Sequence, residues 1–248
     1  MAPAEHRAAS QPIEPSLLSG RLVLVRHGQT DWNAAGRMQG TSDIPLNDTG
    51  RAQAREAGRR IAELAESWDL LVCSPLGRAR ETAEIIGEQV GLPVAQTVPG
   101  IIERHYGTAE GQVLDYEDSR HPQDLYEDVE AEAEVYRRGV AACRELVRAH
   151  PGERILAVSH GTLIRRVLLA TTPGDWRATV PNAEPLEVDL EGLFAGVPPP
   201  WTTARPESPH GPAASHLRPR PLRAFPPPRV CVCDRLGPSS LTKPNKTT

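Results

Sequence analysis

An unbroken aliphatic run, Leu22-Val23-Leu24-Val25, stops abruptly at Arg26-His27-Gly28. A run without polar alternation suits a strand covered on both faces, and that requires helices on both sides of a sheet. A second run, Arg154 to Val158, ends in the same manner at Ser159-His160-Gly161. Open α/β sheets bind ligands where their strands end. An arginine there offers a fork for phosphate oxygens, and a histidine there is a nucleophile or proton carrier near neutral pH. Taken alone, the first stretch reads equally as a surface arginine beside a hydrogen-bonded histidine.

The rest of the chain decides between these readings. Residues 1–20 are rich in Ala, Pro, Ser and charge and read as a loose leader. Gln29 to Leu46 holds Gly36, Gly40 and Pro45 among polar residues and reads as a long loop, a type usually functional or disordered. Asn47 or Asp48 caps a helix on which Ala54, Ala57, Ile61, Leu64 and Trp68 recur at helical spacing. Asp69 to Cys73 reads as a second strand, and Ser74-Pro75 opens a helix to about Val90, closed by Gly91 and Pro93. A third strand is expected at Pro93 to Val98. Residues 103–128 are polar and acidic, and Val129 to Val147 carry a strong amphipathic helical period. Thr162 to Ala170 continue as helix after the second His-Gly, and Pro185 to Leu190 read as an edge strand.

Alternating strands and helices predict an α/β domain, a mostly parallel sheet sandwiched by helices, over residues 21–195, with a short cap insertion at about 104–130. From 196 to 248 the chain turns Pro-rich and basic with no hydrophobic period, a composition that cannot bury enough apolar area to fold; it reads as a disordered tail. That tail is either a Pro-rich docking segment or a passive extension.

Hydrophobic content of 39% permits a core, and aromatics at 4% leave it to aliphatic side chains. The net charge of -4 gives no support for nucleic-acid binding. Cys73 and Cys143 lie in apolar patterns and read as buried thiols, and Cys231-Val232-Cys233 is too tight for a zinc site. No disulfide framework or metal site is read. No run approaches the roughly 20 apolar residues of a membrane span, and the N-terminus lacks the apolar segment of a secretory signal. No membrane partner is therefore expected, and the expected location is cytoplasmic.

Four segments can deliver charged groups to one rim of the sheet. His27 and His160 follow strands, each ahead of a glycine that lets the backbone turn. Arg78 lies one turn into the helix after the second strand, and Glu103 follows the third. Arg80, two positions on from Arg78, faces elsewhere and is expected in solvent. His105 and Tyr106 either line the mouth or pack, while His121 and His150 read as surface residues.

These motifs resemble the histidine phosphatase superfamily, also called phosphoglycerate mutase-like, over about residues 20–170. Leu-Val-Arg26-His27-Gly28-Gln-Thr30 is similar to its opening motif, and Asn33 fits an asparagine shortly after. Gln39-Gly40 with Asp43-Ile44-Pro45-Leu46-Asn47 resembles its phosphate loop. Ser74-Pro75-Leu76-Gly77-Arg78-Ala79 resembles its second-arginine motif. Glu103-Arg104-His105-Tyr106-Gly107 with Glu110-Gly111 resembles its acid motif, and Val158-Ser159-His160-Gly161 its second-histidine motif.

The resemblance implies that His27 forms a phosphohistidine, that Arg26, Arg78 and His160 hold the phosphoryl oxygens, and that Glu103 is the general acid and base. Asn33, Gln39, Gly40, Thr41, Gly161 and Thr162 are the implied phosphate and substrate contacts. The implied activity is a metal-independent phosphomonoesterase acting on a small phosphate monoester, with no cofactor; the sequence is silent on oligomeric state. The alternatives are a phosphoglycerate mutase and a non-catalytic phosphate-binding protein. Against the mutase, Gly111-Gln112-Val113-Leu114-Asp115 lacks a lysine that family places after the acid motif, and Thr162-Leu163 stand where it has Asn-Ser. The cap segment holds Arg104 and Arg120 but many more carboxylates, so a substrate without strong polyanionic character is expected.

Overall fold

Alternate residues of the first strand serve two different cores. In the computed structural model, which describes residues 13–63, 67–114, 122–171 and 179–195, the chain begins with α1 (Pro15–Leu18), β1 (Arg21–Arg26), α2 (Asp31–Ala34) and α3 (Asp48–Glu63). There follow β2 (Leu70–Cys73), α4 (Gly77–Val90) and β3 (Gln96–Thr97), then α5 (Glu132–Ala149), β4 (Arg154–Ser159) and α6 (Gly161–Thr171). The last elements are β5 (Pro185–Glu187) and α7 (Leu190–Ala195). The strand order is β3-β2-β4-β1-β5, parallel throughout except for β5, which runs antiparallel to β1 at the edge. The expected tail from 196 on, most of the expected leader and Asp115, Glu117 and Asp118 of the acidic run lie outside the described residues.

Leu22 and Leu24 of β1 join Val72, Ile155 and Ala157 under α5, α6 and α7. Val23 and Val25 point to the other face, with Leu71, Cys73, Leu156 and Val158, under α3 and α4. This is the period-2 alternation of a strand, with an apolar layer on each side. The helices show matching stripes: Val135, Val140, Cys143 and Val147 of α5 are buried, as are Ala54, Ala57 and Ile61 of α3. Burial pushes the Cys143 thiol up to about 12 and that of Cys73 to about 11, so both sulfurs stay protonated.

Several boundaries differ from the sequence reading, each for a local reason. Leu17 and Leu18 pack against the core, so order begins before Arg21. Inside the expected loop, Thr30 and Asn33 form a reciprocal capping box that makes α2. Helix α4 starts at Gly77 and not at Ser74-Pro75: its first N–H donates to Asp43 Oδ1 at 2.9 Å, a cap supplied from a distant loop. Strand β3 is only two exposed residues, shorter than expected. Trp68 is buried beyond the end of α3, beneath the Arg21 guanidinium. Leu190 opens α7 instead of closing a strand. Among the described residues no helix is long and apolar enough to cross a membrane.

Candidate active site

The register of the sheet brings the two His-Gly turns together. Arg26 pairs with Ser159 across β1 and β4, and the His27 N–H donates to the Ser159 carbonyl at 3.0 Å. The two imidazoles therefore leave adjacent strand ends, with ring centroids 5.1 Å apart. Gly28 lets the chain pass α3 at close quarters: a Cβ there would lie 2.3 Å from the Gly50 carbonyl oxygen.

His27 is buried, and its Nδ1 sits 2.7 Å from the Gly28 carbonyl oxygen. A carbonyl only accepts, so Nδ1 carries the proton and Nε2 has the lone pair. Arg78 donates from Nε to that Nε2 at 3.2 Å. Burial, then Arg78, then Arg26 hold the His27 imidazole well below the usual histidine range, so it is neutral at neutral pH. The His160 ring is held low likewise, first by burial and then by Arg78. Its Nε2 lies 2.7 Å from Ser74 Oγ, and Nδ1 has no partner.

The two arginines differ. Arg78 is fully buried and occupied: Nη2 donates to the Gly40 carbonyl at 2.7 Å and Nη1 to the Ser42 carbonyl at 2.9 Å. Burial lowers its pKa to about 10, with Glu103, Asp43 and Glu110 opposing, which leaves it charged at neutral pH. Arg26 donates from Nη1 to the Val180 carbonyl at 2.5 Å, while its buried Nε has no partner. Asn182 Nδ2 donates to the His27 carbonyl at 2.8 Å, so the segment around 180–183 grips the Arg26-His27 backbone from outside the motif.

Glu103 is buried at the N-terminus of α6. Its Oε2 accepts from the Thr162 N–H at 3.2 Å, and Oε1 from Leu163 at 3.3 Å and Arg104 at 2.8 Å. The first N–H groups of a helix are otherwise unpaired, and they fix a carboxylate well. Arg138 of α5 donates to the Glu103 carbonyl at 3.0 Å and pairs with Glu130 through both of its oxygens, which ties this loop to α5.

A cavity of about 150 Å³ opens over His27. Of the residues singled out from sequence, Arg26, His27, Asn33, Gln39, Glu103, Gly161 and Thr162 line it. Gln39 accepts through Oε1 from Thr30 and Asn33, and its buried Nε2 is left without a partner. Arg78, His160, Gly40 and Thr41 are not in the lining. Thr41, an expected phosphate contact, has its N–H and hydroxyl bonded to Glu110 Oε1, at 2.8 and 3.2 Å. The Ser42 N–H and hydroxyl bond the other Glu110 oxygen. Gly40 is needed for that fit, since a Cβ there would lie 2.2 Å from Glu110 Oε1.

Tyr106, read from sequence as lining or packing, does both. It lines the cavity, and its buried hydroxyl meets Thr162 Oγ1 at 2.7 Å. The sequence reading missed Arg37, Arg165, Thr179 and Val180, which also line the cavity. For Arg165 a signal existed: it lies four positions after Gly161, on the same helix face. A larger hollow of about 440 Å³, lined by residues such as Arg21 and Asp189, lies at the other end of β1 and contains no histidine.

Against known proteins, the family described as "Histidine phosphatase superfamily (branch 1)" matches residues 22–191. The chain belongs to the histidine phosphatase superfamily. Within this superfamily it is 42% identical over 154 residues to an uncharacterized phosphatase, PhoE, of Bacillus subtilis, covering 62% of this chain and 78% of that one. It is 33% identical over 192 residues to a 2,3-bisphosphoglycerate-dependent phosphoglycerate mutase of a Methylobacterium strain, covering 71% and 88%. A mycobacterial glucosyl-3-phosphoglycerate phosphatase has a similar solved structure, with a TM-score of 0.58 at 31% identity, covering 67% of this chain and 91% of that one. This histidine phosphatase chain thus has both phosphatases and mutases among its relatives, on one mostly parallel α/β sheet.

Proposed function

We propose that the protein is a metal-independent phosphomonoesterase that works through a phosphohistidine at His27. The observation that carries this reading is the single Nε2 lone pair of a buried, neutral His27, fixed by the Gly28 carbonyl on one side and Arg78 on the other, beside the cavity. In the first step Nε2 bonds to phosphorus and the ester P–O bond breaks, with Glu103 giving its proton to the leaving oxygen. In the second, Glu103 takes a proton from water, the hydroxide oxygen bonds to phosphorus and the P–N bond breaks. Inorganic phosphate leaves and both side chains return to their starting states. Arg26, Arg78 and His160 stabilise the charge on the phosphoryl oxygens, the main requirement of this chemistry. Gln39, whose buried Nε2 is unpartnered beside the cavity, adds a neutral donor, and Asn33 borders the same space. The folded domain is assigned to residues 21–195 with residues 13–20 joined to it, and the segment from 196 is assigned no part in the chemistry.

A mutase must exclude water while its phosphoryl group waits on histidine. The sequence departures at 111–115 and 162–163 favour hydrolysis. The test is one preparation in two assays: phosphate release from small monoesters, and conversion of 3-phosphoglycerate to 2-phosphoglycerate with and without 2,3-bisphosphoglycerate. The reading predicts release without interconversion; interconversion faster than release on the best monoester contradicts it.

A further inference from the structure

We infer that Arg138 is the positioning residue of the general acid and base, fixing from α5 the backbone that carries Glu103; this rests on the phosphomonoesterase reading. Glu103 follows a single 3-10 turn, Pro99–Ile101, and belongs to no strand. Side chains hold the carbonyls of this stretch. Those of Gly100, Ile102 and Glu103 accept from Arg138 at 3.1, 2.6 and 3.0 Å. That of Ile101, between them, accepts from the Ser159 hydroxyl at 2.7 Å.

The five N–H donors of an arginine lie in one rigid plane, and in Arg138 each has an acceptor. Nη1 serves Gly100 and Ile102, and one Nη2 proton serves Glu103. Nε and the other Nη2 proton go to the two carboxylate oxygens of Glu130, at 2.7 and 2.9 Å. Glu130 in turn holds the chain just past the acid: its N–H donates to the His105 carbonyl at 2.9 Å, and its Oε2 accepts from the His105 N–H at 3.2 Å. The Arg138 side chain is 23% exposed and lines no part of the cavity, whereas its neighbour Arg137 is 67% exposed and pairs only along the helix, with Glu134. The shape of the guanidinium, and not its charge alone, is what this place uses.

The two ends of Glu103 are therefore held by different helices. Helix α6 holds the carboxylate through the Thr162 and Leu163 N–H groups, and α5 holds the carbonyl through Arg138. The helices meet beside both: a Cβ on Gly139, next to Arg138, would lie 3.2 Å from Leu163 Cδ1. The stretch ahead of the acid packs equally close, since a Cβ on Gly100 would lie 2.6 Å from the Ala142 Cβ of α5. An acid that gives a proton in one step and takes one in the next must keep a fixed distance to the reacting oxygens. Without Arg138 the backbone end is free, and that distance is no longer fixed.

The experiment compares kcat/KM for two kinds of ester. One is glycerol 3-phosphate or phosphoserine, whichever the unsubstituted protein hydrolyses faster; its alkoxide needs a proton to leave. The other is 2,4-dinitrophenyl phosphate, whose phenolate leaves without one. Glu103→Gln sets the reference, with an expected loss of about 10²-fold or more on the alkyl ester and about twofold on the aryl ester. Arg138→Ala should reproduce that split, about tenfold or more against about twofold or less, and should add about twofold or less to Glu103→Gln in the double variant. Arg138→Lys keeps the charge facing Glu130 but not the fork; it should show the same split at smaller size, and it carries the test if Arg138→Ala does not fold. Equal losses on both esters, no loss on either, or fully additive losses in the double variant would overturn the inference and leave the phosphomonoesterase reading standing. No split in Glu103→Gln, or no turnover of either ester, would overturn that reading and the inference with it.

Discussion

Arg78 donates its Nε proton to His27 Nε2 across 3.2 Å, so a guanidinium rests on the lone pair proposed to attack phosphorus. The contact places a cation where the phosphoryl oxygens would arrive, and it discourages protonation of the ring. Removing the charge with Arg78→Gln is expected to move the acid limb of kcat/KM to higher pH, toward the ordinary histidine value of about 6.5. Burial still acts in the variant, so the limb should stay below that value. The rate should fall by about 10²- to 10³-fold, as for loss of one transition-state donor. A pH profile with an unmoved limb would separate His27 from the group being titrated.

Stability should respond to the same two rings. His27 and His160 are held neutral by burial and by neighbouring arginines, so their folded pKa values lie below the unfolded one. Below about pH 6.5 the unfolded chain gains protons that the folded chain does not, and stability falls. Each ring contributes a slope of at most about 1.4 kcal/mol per pH unit in that window. Urea unfolding between pH 7 and 5 should show the loss, and His160→Gln should flatten it. Equal slopes in both proteins would contradict the assignment.

Glu110 supports Arg78 through the loop between them. Burial raises the Glu110 pKa, but hydrogen bonds from the Ser42 side chain and from the Thr41 and Ser42 backbone outweigh it and hold the carboxyl below its usual range. The same loop offers its Gly40 and Ser42 carbonyls to Arg78. Glu110→Ala should cost about 1–3 kcal/mol of stability through unpaired donors and lower kcat/KM about tenfold or more through a displaced Arg78. Glu110→Gln keeps one acceptor oxygen and should fall between. Thermal melts beside steady-state kinetics check both effects; unchanged kinetics in Glu110→Ala would detach the loop from the site.

What could be read from the sequence was what repeats or ends sharply. Aliphatic runs closing in His-Gly located β1 and β4, and helical periods located α3 and α5. The antiparallel β5 and the shortness of β3 depend on edge pairing, which no local period records. The start of α4 was misplaced because its cap, Asp43, lies on another segment, while the hydroxyl of Ser74 serves His160. That Glu110 bonds Thr41 from a distant segment is not legible in the loop's composition. Arg165 lies one helical turn after Gly161, a spacing the sequence does carry, whereas the pairing of its neighbour Arg166 with Glu132 depends on packing.

The central claim is a covalent phosphoryl group on His27, and the most direct measurement is to trap it. The enzyme is mixed with a labelled monoester, quenched in alkali within milliseconds, digested and read by peptide mass spectrometry. The account predicts an acid-labile, base-stable phosphate on the His27 peptide, absent from His27→Ala and accumulating further when Glu103→Gln slows its hydrolysis. Turnover of the monoester with no phosphate on His27, or a label that persists in His27→Ala, would contradict it.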